Sequence, residues 1–379
     1  MSKGHGNFGI ELNNSCNFRK KCDNYPQMYQ PKYQITNEIL KNIGICEASR
    51  EVIDNAPLVP AWEKRFQEEA IDRIVHYGTH IEGNELSFAE AKQVLDGVRV
   101  VAKDRDIQEV INYRNVIRYI DETEQGTNNY DESQIKKIHE LTVYKMIPKE
   151  EYGHYRHTQV ILRNSVTGEV AFRPPEFVHV PGMMEDFMIW LNSPLAKSIH
   201  PIIRAAITHY ALVAIHPFIE GNGRTARAFA TLVLFSEGYD IKRFFSLEEY
   251  FDKDSQSYFG NLMHVSSLSA NFYERDLTSW IEYFSQALAI ELSRIKERVK
   301  NLSLDLKVKG RLGKQVALSE RQMKLVEYLE EYKEITVPQA RQILPMISDD
   351  TILRDLKELT RKGIAKKQGS TKSARYIFR

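Results

Sequence analysis

The chain has 379 residues, with 52 lysines and arginines against 51 aspartates and glutamates and a net charge of +1. That length predicts two or three domains, with enough buried apolar surface to fold without staples. The near-zero balance excludes a molecule that binds nucleic acid or membrane with its whole surface, so any charge asymmetry has to be local. Cys16, Cys22 and Cys46 are too few, and odd in number, for a disulfide framework, and Cys16 and Cys22 do not form a C-x-x-C zinc pair. Met1–Ile10 carries no charged segment followed by an apolar run. No stretch reaches the roughly 18 apolar residues of a spanning helix. The expectation is a soluble, cytoplasmic protein with no membrane partner.

Residues 1–35 are polar and aperiodic and read as a loose arm, with helix expected from about Ile35. Trp62, Phe66, Ala70, Ile74 and Gly78 recur at steps of four, with Ile71 and Val75 beside them, which predicts one buried helix face. Further helices are expected at Phe88–Asp96, stopped by Gly97, at Asp106–Tyr119, and at Glu132–Tyr144 after a loop at Gly126–Asn129. Val160-Ile161-Leu162 and Val170-Ala171-Phe172 flank a turn at Asn164–Gly168, a β-hairpin signal that Pro174-Pro175 ends. Helix resumes at Met183–Leu191. Pro201–Ile215 and Thr225–Glu237 are apolar almost all round, as central helices of a bundle are, with Pro201 suited to a helix start and Gly238 to a C-terminal cap. Ser279–Leu304 is a long helix, followed by a basic linker at Lys307–Val316. The remainder gives three helices and a two-strand hairpin: Met323 to Ile335, Pro338–Leu344, a helix capped by Ser348 and running to Lys362, then Ile364–Lys367 and Tyr376–Phe378. That order is a winged helix-turn-helix pattern.

The chemistry concentrates between the two apolar helices, in His216-Pro217-Phe218-Ile219-Glu220-Gly221-Asn222-Gly223-Arg224-Thr225-Ala226-Arg227. His216 ends a buried helix where Pro217 turns the chain, and an imidazole there suits a general base. Glu220 cannot form a helical i,i+4 metal pair with His216, because Pro217 breaks the helix; one carboxylate beside an anion site suits Mg²⁺. Gly221, Asn222 and Gly223 open the next helix and leave backbone N–H groups free to surround an anion. Arg224 and Arg227 lie one turn apart and can clamp the same polyphosphate. The set fits phosphoryl or nucleotidyl transfer. Neither a Walker-type G-x-x-x-x-G-K-[ST] loop nor an H-E-x-x-H zinc site occurs.

This string resembles the signature of the Fic family, H-x-F-x-[DE]-G-N-G-R-x-x-R, at every fixed position. The resemblance extends over roughly residues 60–290. It takes in Asn112 and His139 on preceding helices, and Gly153-His154-Tyr155-Arg156 with the hairpin, which are similar to the family's target-docking flap. It implies a mainly α fold: a Fic-type helical bundle with a short β-hairpin flap, joined to a small winged-helix α+β domain. The expected organisation is an arm and leading helix over 1–59, a Fic-like core over 60–295, a linker over 296–318 and the winged helix over 319–379. The implied activity is protein adenylyl transfer. His216 would deprotonate a Ser, Thr or Tyr hydroxyl of a target protein, and Phe218 would pack under the loop. Glu220 would hold Mg²⁺. Gly221, Asn222, Gly223 and Arg224 would bind the α- and β-phosphates of ATP, and Arg227 the γ-phosphate. Self-modification is among the expected outcomes.

His76–Asn84 resembles the family's inhibitory motif, [ST]-x-x-x-E-[GN], in which a glutamate faces the second arginine of the signature. The pair implied is Glu82 with Arg227, which would remove the γ-phosphate clamp. Gly78 stands where the motif has Ser or Thr, with Thr79 one place later. At the other end, Ser348–Arg379 places Arg354, Lys357, Arg361, Lys362, Lys366, Lys367, Lys372, Arg375 and Arg379 against Asp349, Asp350, Asp355 and Glu358. That excess suits DNA phosphates. Winged helices also serve as protein-docking or dimerisation modules, so DNA binding and a homodimer both stay open. The competing functional class is a nucleotide-sensing, DNA-binding transcriptional regulator with little turnover.

Overall fold

The computed structural model describes residues 29–56, 58, 60–123, 129–163, 170–312, 318–369 and 374–378. The expectations for Cys16, Cys22, the greater part of the N-terminal arm, the loop from Gly126 to Asn128, the hairpin turn Asn164–Gly168, Lys372 and Arg379 lie outside the described residues. Two separate apolar cores are present, one built from residues between Tyr29 and Val299 and the other between Leu325 and Tyr376.

The first unit is helical. α1 (Asn37–Asp54) starts where the Thr36 hydroxyl accepts from the Ile39 N–H. α2 (Pro60–His80) buries Phe66, Ala70, Ile74 and Val75, the stripe legible in the sequence. α3 (Phe88–Leu95) opens with a Ser87–Glu90 capping box, and Gly97 stands past its end at φ 77°, a backbone conformation that costs glycine nothing. α4 (Asp104–Glu122) and α5 (Glu132–Val143) follow, α5 opening with a second capping box made by Asp131 and Gln134. β1 (Leu162–Arg163) and β2 (Val170–Phe172) pair antiparallel with Leu162 opposite Phe172. α6 (Val180–Asn192) and the short α7 (Pro194–Ser198) lead to the central pair, α8 (Pro201–Ile215) and α9 (Asn222–Ser236), which are buried on nearly every side. α10 (Leu247–Lys253) and α11 (Ser255–Leu268) lie in a stretch the sequence left unassigned. α12 (Thr278–Leu312) packs along α1, where Asn42 Nδ2 donates to Ser285 Oγ at 3.2 Å, and against α8, where Trp280 Nε1 donates to the Ala206 carbonyl at 2.7 Å.

The second unit contains α13 (Glu320–Tyr332), β3 (Glu334–Thr336), α14 (Val337–Ile343), α15 (Asp349–Arg361), β4 (Ala365–Gln368) and β5 (Arg375–Phe378). Its sheet is antiparallel in the order β3-β5-β4. Among the described residues, no helix is long and apolar enough to cross a membrane.

Most helix ends move by one to three residues, and three differences from the sequence reading matter more. α9 begins at Asn222 rather than Thr225, because Gly221 at φ 75° turns the chain directly into the helix. α12 runs to Leu312 rather than Leu304, through residues assigned to the linker. Ile335, read as the exit of a helix, lies in a strand: Lys333 at φ 66° ends α13, and Ile335 pairs with Tyr376.

Candidate active site

The loop from α8 to α9 holds itself together. His216 caps α8 in the left-handed conformation, at φ 54°. Phe218 is fully buried, and its ring stacks on His139 of α5 at 3.8 Å with 5° between planes. The Asn222 carboxamide closes the loop from both sides, accepting from the Phe218 N–H and donating to the Phe218 carbonyl, each at 2.9 Å. His139 Nε2 donates to the Glu220 carbonyl at 3.1 Å while its Nδ1 accepts from the Gly153 N–H at 3.0 Å. That pair of bonds fixes a neutral tautomer, and burial pulls the His139 pKa down to about 4. Asn222 thus has its side chain committed to the loop, and its backbone N–H is what it can offer an anion.

His216 is oriented in the same manner. Its Nδ1 lies 3.2 Å from the Val213 carbonyl. A carbonyl only accepts, so Nδ1 carries the hydrogen and Nε2 keeps its lone pair. Burial pulls the imidazole down to about 4, against the opposing effects of the Val213 carbonyl and the Glu82 charge. Arg156, itself buried, donates Nε to the His216 carbonyl at 2.8 Å and Nη2 to the Pro175 carbonyl at 2.5 Å. It therefore ties the α8–α9 loop to the chain that follows the β1–β2 hairpin. In the sequence Arg156 stands out only as the last residue of the Gly153-His154-Tyr155-Arg156 string; its burial and its two carbonyl partners come from the fold.

The first turn of α9 presents unpaired backbone N–H groups, as every helix start does. Gly221 has no room for a side chain: a Cβ there would meet Val143 Cγ1 at 2.8 Å. A Cβ at Gly223 would collide with the carboxylate of Glu82. The carboxylate of Glu82 therefore lies over the helix start that reads as an anion nest. Its Oε1 is 2.8 Å from Arg227 Nη2, and that nitrogen also donates to the Gly78 carbonyl at 2.9 Å. Burial favours the neutral acid, yet the charges of Arg227 and Arg224, with the hydrogen bond from Arg227, hold the Glu82 carboxyl below its usual range. Burial likewise disfavours the charge on Arg227, and Glu82 beside it more than restores it.

Gly78 has a steric reason. A Cβ at that position would collide with the Tyr113 ring. Thr79, one place on, turns its hydroxyl back to the Val75 and His76 carbonyls at 3.0 Å each. The end of α2 is seated by its own Gly78 carbonyl on Arg227.

The other charges of the nest are also matched. Arg224, whose side chain is 4% exposed, lies 3.3 Å from Glu109 and 3.6 Å from Glu220. Arg105 pairs with Glu220. The Nε–H groups of Arg224 and Arg227 are buried with no hydrogen-bond partner among the described residues, so each guanidinium retains capacity for an anion. Glu220 remains 31% exposed at the rim. A lone carboxylate beside a phosphate nest fits Mg²⁺, which takes few protein ligands and leans on phosphate oxygens; among the described residues there is no group of three or more acidic, His or Cys ligands. Beyond the nest, Val213, Tyr258, Phe259, Leu262 and Met263 line a mainly apolar cleft that reaches His216 and Gly223.

Comparisons with known proteins agree with this geometry. The Fic/DOC family model matches residues 129–234, and a DeoR-like helix-turn-helix domain matches residues 321–374. A protein adenylyltransferase Fic from Nematostella vectensis is 28% identical over 253 residues, covering 65% of this chain and 57% of that protein. The protein adenylyltransferase fic-1 of Caenorhabditis elegans is 33% identical over 180 residues, 46% of this chain and 34% of that one. The chain thus spans little more than half of the first relative's length and about a third of the second's. A Fic family protein from Desulfovibrio desulfuricans superposes with a TM-score of 0.61 at 22% identity, covering 93% of this chain and 98% of that one. The solved Fic-1 of C. elegans gives 0.54 at 25% identity, covering 69% and 72%. The chain carries a Fic domain, which holds the His216–Arg227 loop, and a DeoR-like helix-turn-helix domain at its C-terminal end.

Proposed function

We propose that the protein is a protein adenylyltransferase that moves AMP from ATP to a Ser, Thr or Tyr hydroxyl of a target protein, and that Glu82 holds it in a low-activity state. One observation carries the reading. A single loop presents an imidazole Nε2 with a free lone pair, the open N–H groups of a helix start, and two buried guanidiniums.

In this reading His216 Nε2 takes the proton of the target hydroxyl as its oxygen attacks the α-phosphorus. The bond between the α-phosphorus and the bridging oxygen breaks, and pyrophosphate leaves. The N–H groups of Asn222, Gly223 and Arg224, with the Arg224 side chain, bind the phosphates, and Arg227 takes the γ-phosphate once Glu82 gives way. Glu220 would hold Mg²⁺, and the ion would supply positive charge against the phosphates. Arg156 and His139 keep the loop in shape throughout. A cytoplasmic setting accords with the ATP requirement and the sparse cysteines.

A second role belongs to the C-terminal domain. Arg354, Lys357, Lys366 and Lys367 stand exposed on α15 and β4, which supports contact with DNA phosphates. The main alternative is a nucleotide-sensing regulator without turnover. Incubation of the protein with α-³²P-ATP, with and without Mg²⁺, separates the two. Adenylyl transfer predicts Mg²⁺-dependent label on protein, raised in Glu82→Gly. ATP binding without label in either form would leave the regulator.

A further inference from the structure

The first arginine of the nest is held by a carboxylate that the reaction above does not use. Glu109 lies on α4 and is buried. Its Oε1 is 3.3 Å from Arg224 Nη1 and 3.6 Å from Arg105 Nε. Its Oε2 accepts from Asn84 Nδ2 at 2.9 Å. Asn84 stands two residues after Glu82 and is itself buried; it also donates to the Asp106 carbonyl at 3.0 Å and accepts from the Leu86 N–H at 3.1 Å. One carboxylate therefore grips a phosphate-facing arginine with one oxygen and the Glu82 loop with the other.

Arg224 needs such a partner on physical grounds. Its side chain is 4% exposed, and a buried cation left unmatched is costly. Fixing Nη1 on α4 leaves the rest of the guanidinium to face the nest. A clamp held in place beforehand loses little freedom when phosphate arrives. Glu220 is the poorer partner, since it lies farther from Arg224, at 3.6 Å, and its side chain is 31% exposed against 7% for Glu109.

We infer that Glu109 is the positioning residue for Arg224, and that through Asn84 it joins the orientation of that arginine to the seating of the Glu82 loop. The inference rests on the adenylyl-transfer reading and deepens it.

The test is a double-mutant cycle between Glu109→Gln and Arg224→Ala, built in Glu82→Gly so that the brake is absent. Glutamine keeps the shape and an acceptor for Asn84 but removes the charge. Loss of the ion-pair partner of the buried Arg224 predicts a fall of about tenfold or more in kcat/KM for ATP, carried by KM rather than kcat. With Arg224→Ala already present, Glu109→Gln should cost less than about twofold, because the two residues act as a unit. A structural role alone would lower kcat equally in both backgrounds, and that result overturns the inference. So does an unchanged KM in Glu82→Gly/Glu109→Gln. Should glutamine prevent folding, Glu109→Asp keeps the charge but withdraws it from Nη1, and the same cycle applies. ATP affinity by calorimetry follows the same cycle without turnover. A Glu82→Gly parent that binds ATP but never labels protein sinks the transfer reading, and the calorimetric cycle still decides the role of Glu109.

Discussion

The nest and the C-terminal basic surface use cations in opposite ways. In the nest every side-chain charge has a resident partner: Arg227 with Glu82, Arg224 with Glu109, and Glu220 with Arg105. On α15 and β4, Arg354, Lys357, Lys366 and Lys367 stand in water with no ion pair among the described residues, while their neighbours Lys362 and Arg375 face Glu358 and Glu334 at 3.0 Å. Burial explains the difference. Away from water an unmatched charge is expensive, so an arginine that is to bind phosphate has to be matched by something in the meantime. Water itself matches the surface lysines. In the proposed reaction the γ-phosphate would take the place of Glu82 on Arg227, so the seating of that carboxylate would set how readily the nest fills. A ligand at the wing displaces only salt ions, and its binding is regulated by ionic strength.

The largest effect expected in the nest is at a residue that carries no charge at rest. His216→Ala, made in Glu82→Gly, should keep its ATP affinity and lose about 10²- to 10⁴-fold in transfer rate, the usual contribution of a general base. Near-normal labelling would remove His216 from the mechanism. The pH profile sharpens the point. Nε2 works only when unprotonated, and burial has brought the His216 pKa down to about 4. Transfer should stay level from pH 8 to 6 and decline only as pH falls toward that value, with no inflection near the ordinary histidine pKa of about 6.5. Stability follows the same sign. A depressed pKa means that the unfolded chain binds the proton more readily, so the contribution of His216 and His139 is full above about 6.5 and is lost as pH falls through about 4.

Displacing the resident carboxylate comes next in size. Glu82→Gly should raise self-labelling by about ten- to a hundredfold, since a charge-assisted pair is worth about 1.5 to 3 kcal/mol and about 1.4 kcal/mol is a factor of ten. The same change clears the space above Gly223 that the Glu82 carboxylate fills. Adding Arg227→Ala should cancel the gain, because the freed clamp is then missing. Equal labelling by wild type and Glu82→Gly at saturating Mg-ATP would show that the contact does not restrain the site.

Much of this was legible in the sequence because it is local. The apolar run Pro201–Ile215, the Pro217 turn and the two arginines one turn apart place the loop on two buried helices without any distant information. Glu82 opposite Arg227 was implied by the family resemblance, but the partner of Arg224 was not legible. Glu109 and Arg105 lie on α4, more than a hundred positions before Arg224, in a helix whose polar residues look like a solvated face. Gly78 read as a departure from a motif, and its reason is the Tyr113 ring, which only packing reveals. α10 was missed because seven residues carry little periodic signal, and α11 because only Tyr258, Leu262 and Val265 of its fourteen residues are buried. β3 was missed because a strand of three residues has almost none.

The smallest effect is at the wing, and it is a slope rather than a rate. If the C-terminal domain binds DNA through its exposed cations, log affinity should fall linearly with log salt, by about 0.9 for each phosphate neutralised. Replacing Lys366 and Lys367 with alanine should flatten that slope by up to about 1.8 while leaving the stability of the domain nearly unchanged, because both side chains are exposed and unpaired among the described residues. Arg375→Ala should do less, since that guanidinium already faces Glu334. The contrast with the nest predicts one further asymmetry: added salt should weaken DNA binding steeply and change the gain from Glu82→Gly much less, because the Arg227 side of that contact is only 2% exposed, although Glu82 is 29% exposed. A gel-shift series without a complex at low salt would leave protein docking or dimerisation as the role of this domain. Equal salt dependence of DNA binding and of the Glu82→Gly gain would mean that the nest is as open to solvent as the wing, and the division drawn between them would fail.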